Sequence, residues 1–326
     1  MRTRQPPRFV LGLLAAGLVV AAWLSLGAGA SGFRPGALGD LFAGDEIVAV
    51  LRAPRMVLGA ITGASLALAG AAMQTVLHND LADPYVLGLA GGASAGAALS
   101  LALLPSWPPG PAAALGALAA AALVRRLGGR PNDGDRARLI LAGVAVGAAL
   151  ASVTGLVVVL APADRLLRSL TFWLFGGLGT PAASALIFPA AIFVAALAFL
   201  RRHAERLDRL LLGDDTAASL GVDVDRFGTT VSVAAVVLTA SAVAAGGLIG
   251  FVGLMAPHVA RQLVGPRHQH LLLAAPLLGA ILLLASDTFA RTAFAPIEVP
   301  VGLLTACVGG PFFLWLLQRR PAWTRC

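Results

Sequence analysis

The chain contains no lysine, because all 24 of its basic residues are arginine. A P-loop needs a lysine to reach the β- and γ-phosphates of a nucleotide, so that motif is excluded. A lysine Schiff base is excluded with it. If ATP drives this protein, another chain must bind it. Cysteine is nearly absent: Cys307 lies in an apolar run and Cys326 is the last residue, which argues against a disulfide framework. Charge is scarce as well. Only 12% of the 326 residues are charged, against about a quarter in a soluble domain.

Apolar sequence fills the space. The composition is 58% hydrophobic, with a mean hydropathy of +0.85. A bilayer crossing takes roughly 20 apolar residues, and such stretches recur along the whole chain. The reading is an all-α polytopic membrane protein, one domain over 1–326. Ten spans are expected, near 9–29, 56–77, 85–104, 111–126, 139–160, 182–200, 228–247, 249–264, 271–290 and 301–317, divided by Pro, Gly and charge clusters. The run from Phe9 to Leu26 exceeds the roughly 7–15-residue core of a signal peptide. Despite the small residues of "SLGAGAS", it reads as a retained helix.

Arginine placement orients the spans. With the N-terminus inside, cytoplasmic segments hold 18 arginines and outer segments six, as the positive-inside rule requires. Both termini are then cytoplasmic, and the net charge of +8 needs no nucleic acid to explain it.

Several spans carry little side chain. In "HNDLADPYVLGLAGGASAGAALS", Gly88, Gly92 and Gly96 fall four apart, and Gly246, Gly247, Gly250 and Gly253, with Gly143 and Gly147, repeat the economy. Small residues let helix backbones approach closely in lipid; they also leave room for a wide solute path. Both readings stand. "GASLALAGAAMQTVLHNDLADP" (Gly63 to Pro84) and "ASAVAAGGLIGFVGLMAPHVARQLVGP" (Ala240 to Pro266) echo each other on spans of opposite direction, as an inverted repeat would; two Gly/Ala-rich spans can also match by chance.

Asp287 and Glu298 are the only acids in or beside the later spans, and both lie toward the outer end. An ion-coupled carrier usually keeps ionisable groups near mid-membrane, so a secondary transporter is the second choice. The longest polar interruption, "ERLDRLLLGDDTAASLGVDVDRF" (Glu205 to Phe227), offers Asp214 or Asp215 to cap a short helix through Leu220, with Gly221 to end it. Such a helix suits partner docking, and a solvated loop is the alternative.

Four segments carry a family resemblance: "LRAPRMVLGAITGASLALAGAAMQTVLHNDLADPYVLG", "GDDTAASLGVDVDR", "GGLIGFVGLMAPHVARQLVGPRHQHLLLAAPLLGAILLLASDTFAR" and "EVPVGLLTACVGGPFFLWLL". In order and spacing the chain resembles the permease subunits of binding-protein-dependent ABC importers for iron chelates, haem and cobalamin, the FecCD-type family. The resemblance implies the type II importer permease fold of ten helices, in the bacterial inner membrane. It implies a homodimer with two ATP-binding subunits below and a periplasmic substrate-binding protein above. No catalytic residue, metal site or cofactor is expected in this chain, since ATP and Mg would sit on the partner ATPase. The expected cargo is a metal chelate, with a ferric siderophore preferred over haem or cobalamin.

The resemblance also assigns residues. Arg52, Arg55 and Arg291 match positions that meet acids on the binding protein. Asn79 and Leu81 match the cytoplasmic gate. Gly213, Asp214, Asp215, Ala218, Leu220 and Gly221 match the segment that couples to the ATPase. Gly88, Gly92, Gly96, Gly246 and Gly250 are candidates for helix packing or for the path. The segment "NDGDRARL" (Asn132 to Leu139) departs from the family pattern, and its gate role stays open. His258 reads as part of a helix break, because no second ligand lies at metal-site spacing.

Overall fold

The computed structural model describes residues 6–29, 32–129, 136–161, 163–295 and 297–318, with only the backbone for 163–168. Asn132 to Asp135 of "NDGDRARL", the arginines beyond 318 and Cys326 therefore lie outside the described residues.

A first apolar helix, α1 (Pro7–Gly27), starts on a proline at a position that needs no amide partner. It ends in a two-residue ribbon, β1 (Ala28–Gly29) against β2 (Gly32–Phe33). A short α2 (Ala37–Phe42) and a π-helical turn (Ile47–Arg52) lead into α3 (Ala53–Val76). Every residue of α3 from Thr62 to Val76 is buried. A helix buried all round lies inside its bundle, and α3 is the axis of this one, packed against α11, α12 and α13 (below).

After a polar break and a 3-10 turn (Pro84–Leu87) come α4 (Leu89–Leu103), α5 (Pro109–Gly128), α6 (Arg136–Leu160) and α7 (Ala163–Leu174). A second 3-10 turn (Ala183–Leu186) opens α8 (Ile187–Arg202), followed by the short α9 (Ala204–Leu210) and α10 (Asp214–Ser219). The chain finishes with α11 (Val224–Gly246), α12 (Val252–Val264), α13 (His268–Thr292) and α14 (Val301–Gln318).

Eight of the described helices are long and apolar enough to cross a membrane. The third and eighth expected spans are α4, of 15 residues, and α12, of 13. At 1.5 Å per residue these reach about 20 Å, short of a hydrocarbon core about 30 Å thick. Each is preceded by irregular backbone: the break before α4, and Gly247–Gly250 before α12. Such backbone survives at depth only where protein satisfies it. Leu248 N–H donates to the Trp173 carbonyl at 3.3 Å, and Ile249 N–H to the hydroxyl of Tyr85, the chain's single tyrosine, at 3.4 Å.

Glycine sets the helix crossings. A Cβ on Gly70 of α3 would overlap the Gly253 carbonyl of α12, and one on Gly63 the Gly279 carbonyl of α13. Gly92 and Gly96 meet the α5 backbone at Gly116 and Ala112 in the same way. Gly88 does not continue their stripe. It stands outside the helix at φ +74°, the left-handed turn that admits α4. Gly246 faces side chains of Leu178, Ile249 and Thr62, and a Cβ on Gly250 would meet no atom within 4 Å. Within this chain Gly250 therefore makes no close helix contact. The first helix belongs to the bundle, with Val10 and Leu14 buried in a cluster with α13 residues Leu271, Ala274 and Ala275.

Candidate functional site

Two polar constructions sit at opposite ends of this apolar bundle. The first joins α1, α3 and α13. Asp287, only 1% exposed, gives one carboxylate oxygen to Arg55, whose Nη2 lies at 2.9 Å and Nε at 3.2 Å. The other oxygen accepts from Arg291 Nε at 3.0 Å. Arg55 also donates from Nη1 to Glu298 at 3.1 Å. The last turn of α1 leaves carbonyls without helical partners, and arginines fill that need. Arg52 donates to Leu26 O and Gly27 O, and Arg291 to Ser25 O and Ala28 O.

The three arginines expected on the outer face are therefore brought together, one turn apart at the start of α3 and at the end of α13. Arg55 is buried, and the donors of Arg55 and Arg291 are used within the chain. The outermost member of the cluster is Glu298, whose side chain is 54% exposed.

The second construction lies where α3 ends. Asn79 closes an Asx turn, its Oδ1 accepting from Leu81 N–H at 3.0 Å. Gln74 donates to the Ala82 carbonyl at 3.2 Å and accepts from Arg261 at 2.6 Å, and Arg261 reaches Asp80 at 3.2 Å. His78, at φ +48°, contacts the Leu210 carbonyl through Nε2 at 2.5 Å. Asn79 and Leu81 are half-buried at the mouth of this segment. Asp83 accepts from Tyr85 N–H at 2.9 Å. Burial pushes its carboxyl up to about 6, against hydrogen bonds from the Tyr85 and Phe251 amides that pull it down.

The adjoining α9–α10 pair presents Asp215, Ala218, Leu220 and Gly221 on its exposed side, with Leu211 and Leu212 beside them. The short helix is there as expected, but its capping differs. Gly213 is the N-cap, and Asp214 instead bonds Arg136 at 2.6 Å. Arg136 also donates to the Val76 carbonyl at 3.2 Å. One further link escaped the sequence. His268 heads α13, and both its backbone N–H and its Nδ1 meet Asp208 Oδ1, at 2.8 and 2.7 Å, while Nε2 meets Thr75 Oγ1 at 2.8 Å. Burial opposes the Asp208 charge, yet the bonds from His268 and the charge of Arg267 hold its carboxyl below the ordinary range. No local spacing could reveal contacts between residues 60 and 193 positions apart. Among the described residues, no group of three His, Cys, Asp or Glu could hold a metal ion.

A profile described as the FecCD transport family matches residues 17–319. The hemin transport system permease protein HmuU of Yersinia pestis is 37% identical over 330 residues, covering 98% of both chains. The cobalamin import system permease protein BtuC of Halobacterium salinarum is 41% identical over 276 residues, covering 84% of this chain and 74% of that one. A solved structure described as a metal-chelate type ABC transporter in an inward-facing conformation superposes with a TM-score of 0.84 at 29% identity, covering 96% of this chain and 100% of that one.

Proposed function

The chain belongs to the FecCD transport family and is a permease subunit of an ABC importer; we propose that it carries a metal chelate inward across the bacterial inner membrane. The observation that carries this reading is the end-to-end match, in sequence and in fold, to permeases of haem and metal-chelate importers. Haem stands beside a ferric chelate as the cargo, because a hemin permease aligns over 98% of both chains and an Fe(3+)-citrate import permease over 97% of both.

Two copies would form the path. Helices α6 and α14 support this, since they leave Leu141, Val144, Leu156, Val308 and Leu314 exposed on long apolar faces that a second copy or lipid must cover. ATP and Mg would be held by a separate ATPase on each copy. The exposed Leu211, Leu212 and Leu220 around α10 give that ATPase an apolar foothold. Asn79 and Leu81, on the turn next to α9, would form the cytoplasmic gate. At the periplasmic end, a carboxylate of the binding protein would take Arg55 from the exposed Glu298 and leave Asp287 in place. This preserves a docking role for Arg52, Arg55 and Arg291 as a fixed positive cluster.

The test is uptake by the reconstituted complex of this chain, its ATPase and its binding protein, offered haem, a ferric siderophore and cobalamin in turn. Saturable uptake of one of the three identifies the chelate. Uptake of none of them contradicts the assignment.

A further inference from the structure

Three independent links tie the last turn of α3 to α9–α10. His78 meets the Leu210 carbonyl. Arg136 holds both the Val76 carbonyl and Asp214. The third link is central: His268 joins Thr75 on α3 to Asp208 on α9. Thr75 and His268 are each 0% exposed.

The order Thr–His–Asp resembles a nucleophile with its base and orienting acid. Burial rules that use out, since no substrate reaches a fully buried hydroxyl. Thr75 Oγ1 is also directed back at the Ala71 carbonyl, 2.9 Å away. What remains is mechanical. Asp208 accepts the first amide of α13, which its own N-cap residue Arg267 leaves unserved. The same oxygen accepts from the ring. One imidazole thereby joins three helices through directional bonds, and buried bonds of this kind resist partial breakage because a half-made set leaves an unsatisfied polar group.

We propose that His268 is a positioning residue that makes α9–α10 and the turn His78–Asp83 move as one body, so that a displacement of the docking segment is delivered to the gate. The inference rests on the reading of α10 as the ATPase foothold and of Asn79 and Leu81 as the gate. Apolar packing alone would let the segments slide; three polar links at the turn preceding Asn79 do not.

The test uses the full complex of permease and ATPase in lipid nanodiscs and liposomes. Spin labels on Leu81→Cys and Ser219→Cys, in a background with Cys307→Ser and Cys326→Ser and diluted with unlabelled subunits, report the distance within one protomer. With His268 present that distance is the same without nucleotide and with ATP trapped. In His268→Leu it broadens, and chelate delivered per ATP hydrolysed falls about tenfold, the effect of losing roughly one buried polar link. Thr75→Val, which keeps the side-chain volume, reproduces the loss, and Thr75→Ser, which keeps the hydroxyl, restores coupling. A distance that changes between states in the unaltered protein overturns the inference, as does full coupling in both His268→Leu and Thr75→Val. Absence of ATP-driven uptake by the unaltered complex overturns the functional reading itself, and this inference with it.

Discussion

Arg55 and Asp287 meet at 2.9 Å across 232 residues of chain, fastening the start of α3 to the end of α13 inside the bundle. Asp287 is shared with Arg291, so its removal leaves Arg55 with Glu298 as its one carboxylate and Arg291 with backbone carbonyls. Breaking a buried pair from one side costs about 3–5 kcal/mol, while replacing the whole set by apolar side chains costs far less. Asp287→Ala should lower the thermal midpoint in detergent sharply. The combination Arg55→Met with Asp287→Leu should recover part of the loss. Equal stability of Asp287→Ala and the unaltered chain would show that the cluster holds nothing together.

The glycine crossings make a paired prediction. Gly70→Ala forces a methyl onto the Gly253 carbonyl, which is backbone and cannot swing aside; overpacking of this kind costs about 1–3 kcal/mol. Gly250→Ala adds a methyl where nothing lies within 4 Å, and its effect should stay within about 0.5 kcal/mol. Thermal midpoints of the two variants decide the matter, and a reversed order would contradict the packing described.

Much of the fold was legible. Apolar runs placed the eight helices long enough to cross a membrane, and the shorter α4 and α12, within a few residues, because a stretch in lipid must be greasy throughout. The helix at Asp214 was legible from its acids and from the glycines on either side. Gly88 packs closely against Gly143 and Gly147, but equal spacing to Gly92 and Gly96 did not show that the helix begins only after it, at a left-handed residue. The ionic clusters were out of reach for another reason. Arg291 and Asp287 stand four apart on one helix, a spacing the sequence shows, but the pairing of Arg55 with Asp287 and of Arg52 and Arg291 with the end of α1 joins distant sequence. Thr75, Asp208 and His268 carry no pattern at all until three helices converge.

Asp83 supplies a pH dependence. Its folded value of about 6 lies above the ordinary carboxyl value near 4, so the folded state holds the proton more tightly. The stabilisation from protonated Asp83 is complete below about pH 4 and is lost as pH rises through about 6. Asp83→Asn keeps an acceptor for Tyr85 N–H and removes the titration. Its thermal midpoint relative to the unaltered chain should rise between those pH values and level off above. A difference that does not vary with pH would contradict the raised value.

Glu298 tests the docking arrangement. If a binding-protein carboxylate displaces it from Arg55, Glu298→Gln removes a competing charge and should strengthen docking about two- to fivefold, an advantage that salt diminishes over a screening length of about 8–10 Å. Surface plasmon resonance at several ionic strengths reads both quantities. Weaker docking by Glu298→Gln would mean that Glu298 itself contacts the partner.

On the proposed function, this chain provides a path and leaves the energy source to another subunit. Liposomes containing the permease with its ATPase, and the binding protein loaded with chelate outside, test it directly. Chelate uptake should require ATP at the ATPase face, persist when a protonophore collapses the ion gradient, and stop when the ATPase is omitted. Uptake by the permease alone, driven by an imposed proton or sodium gradient and indifferent to ATP, would contradict it and make the chain an ion-coupled carrier.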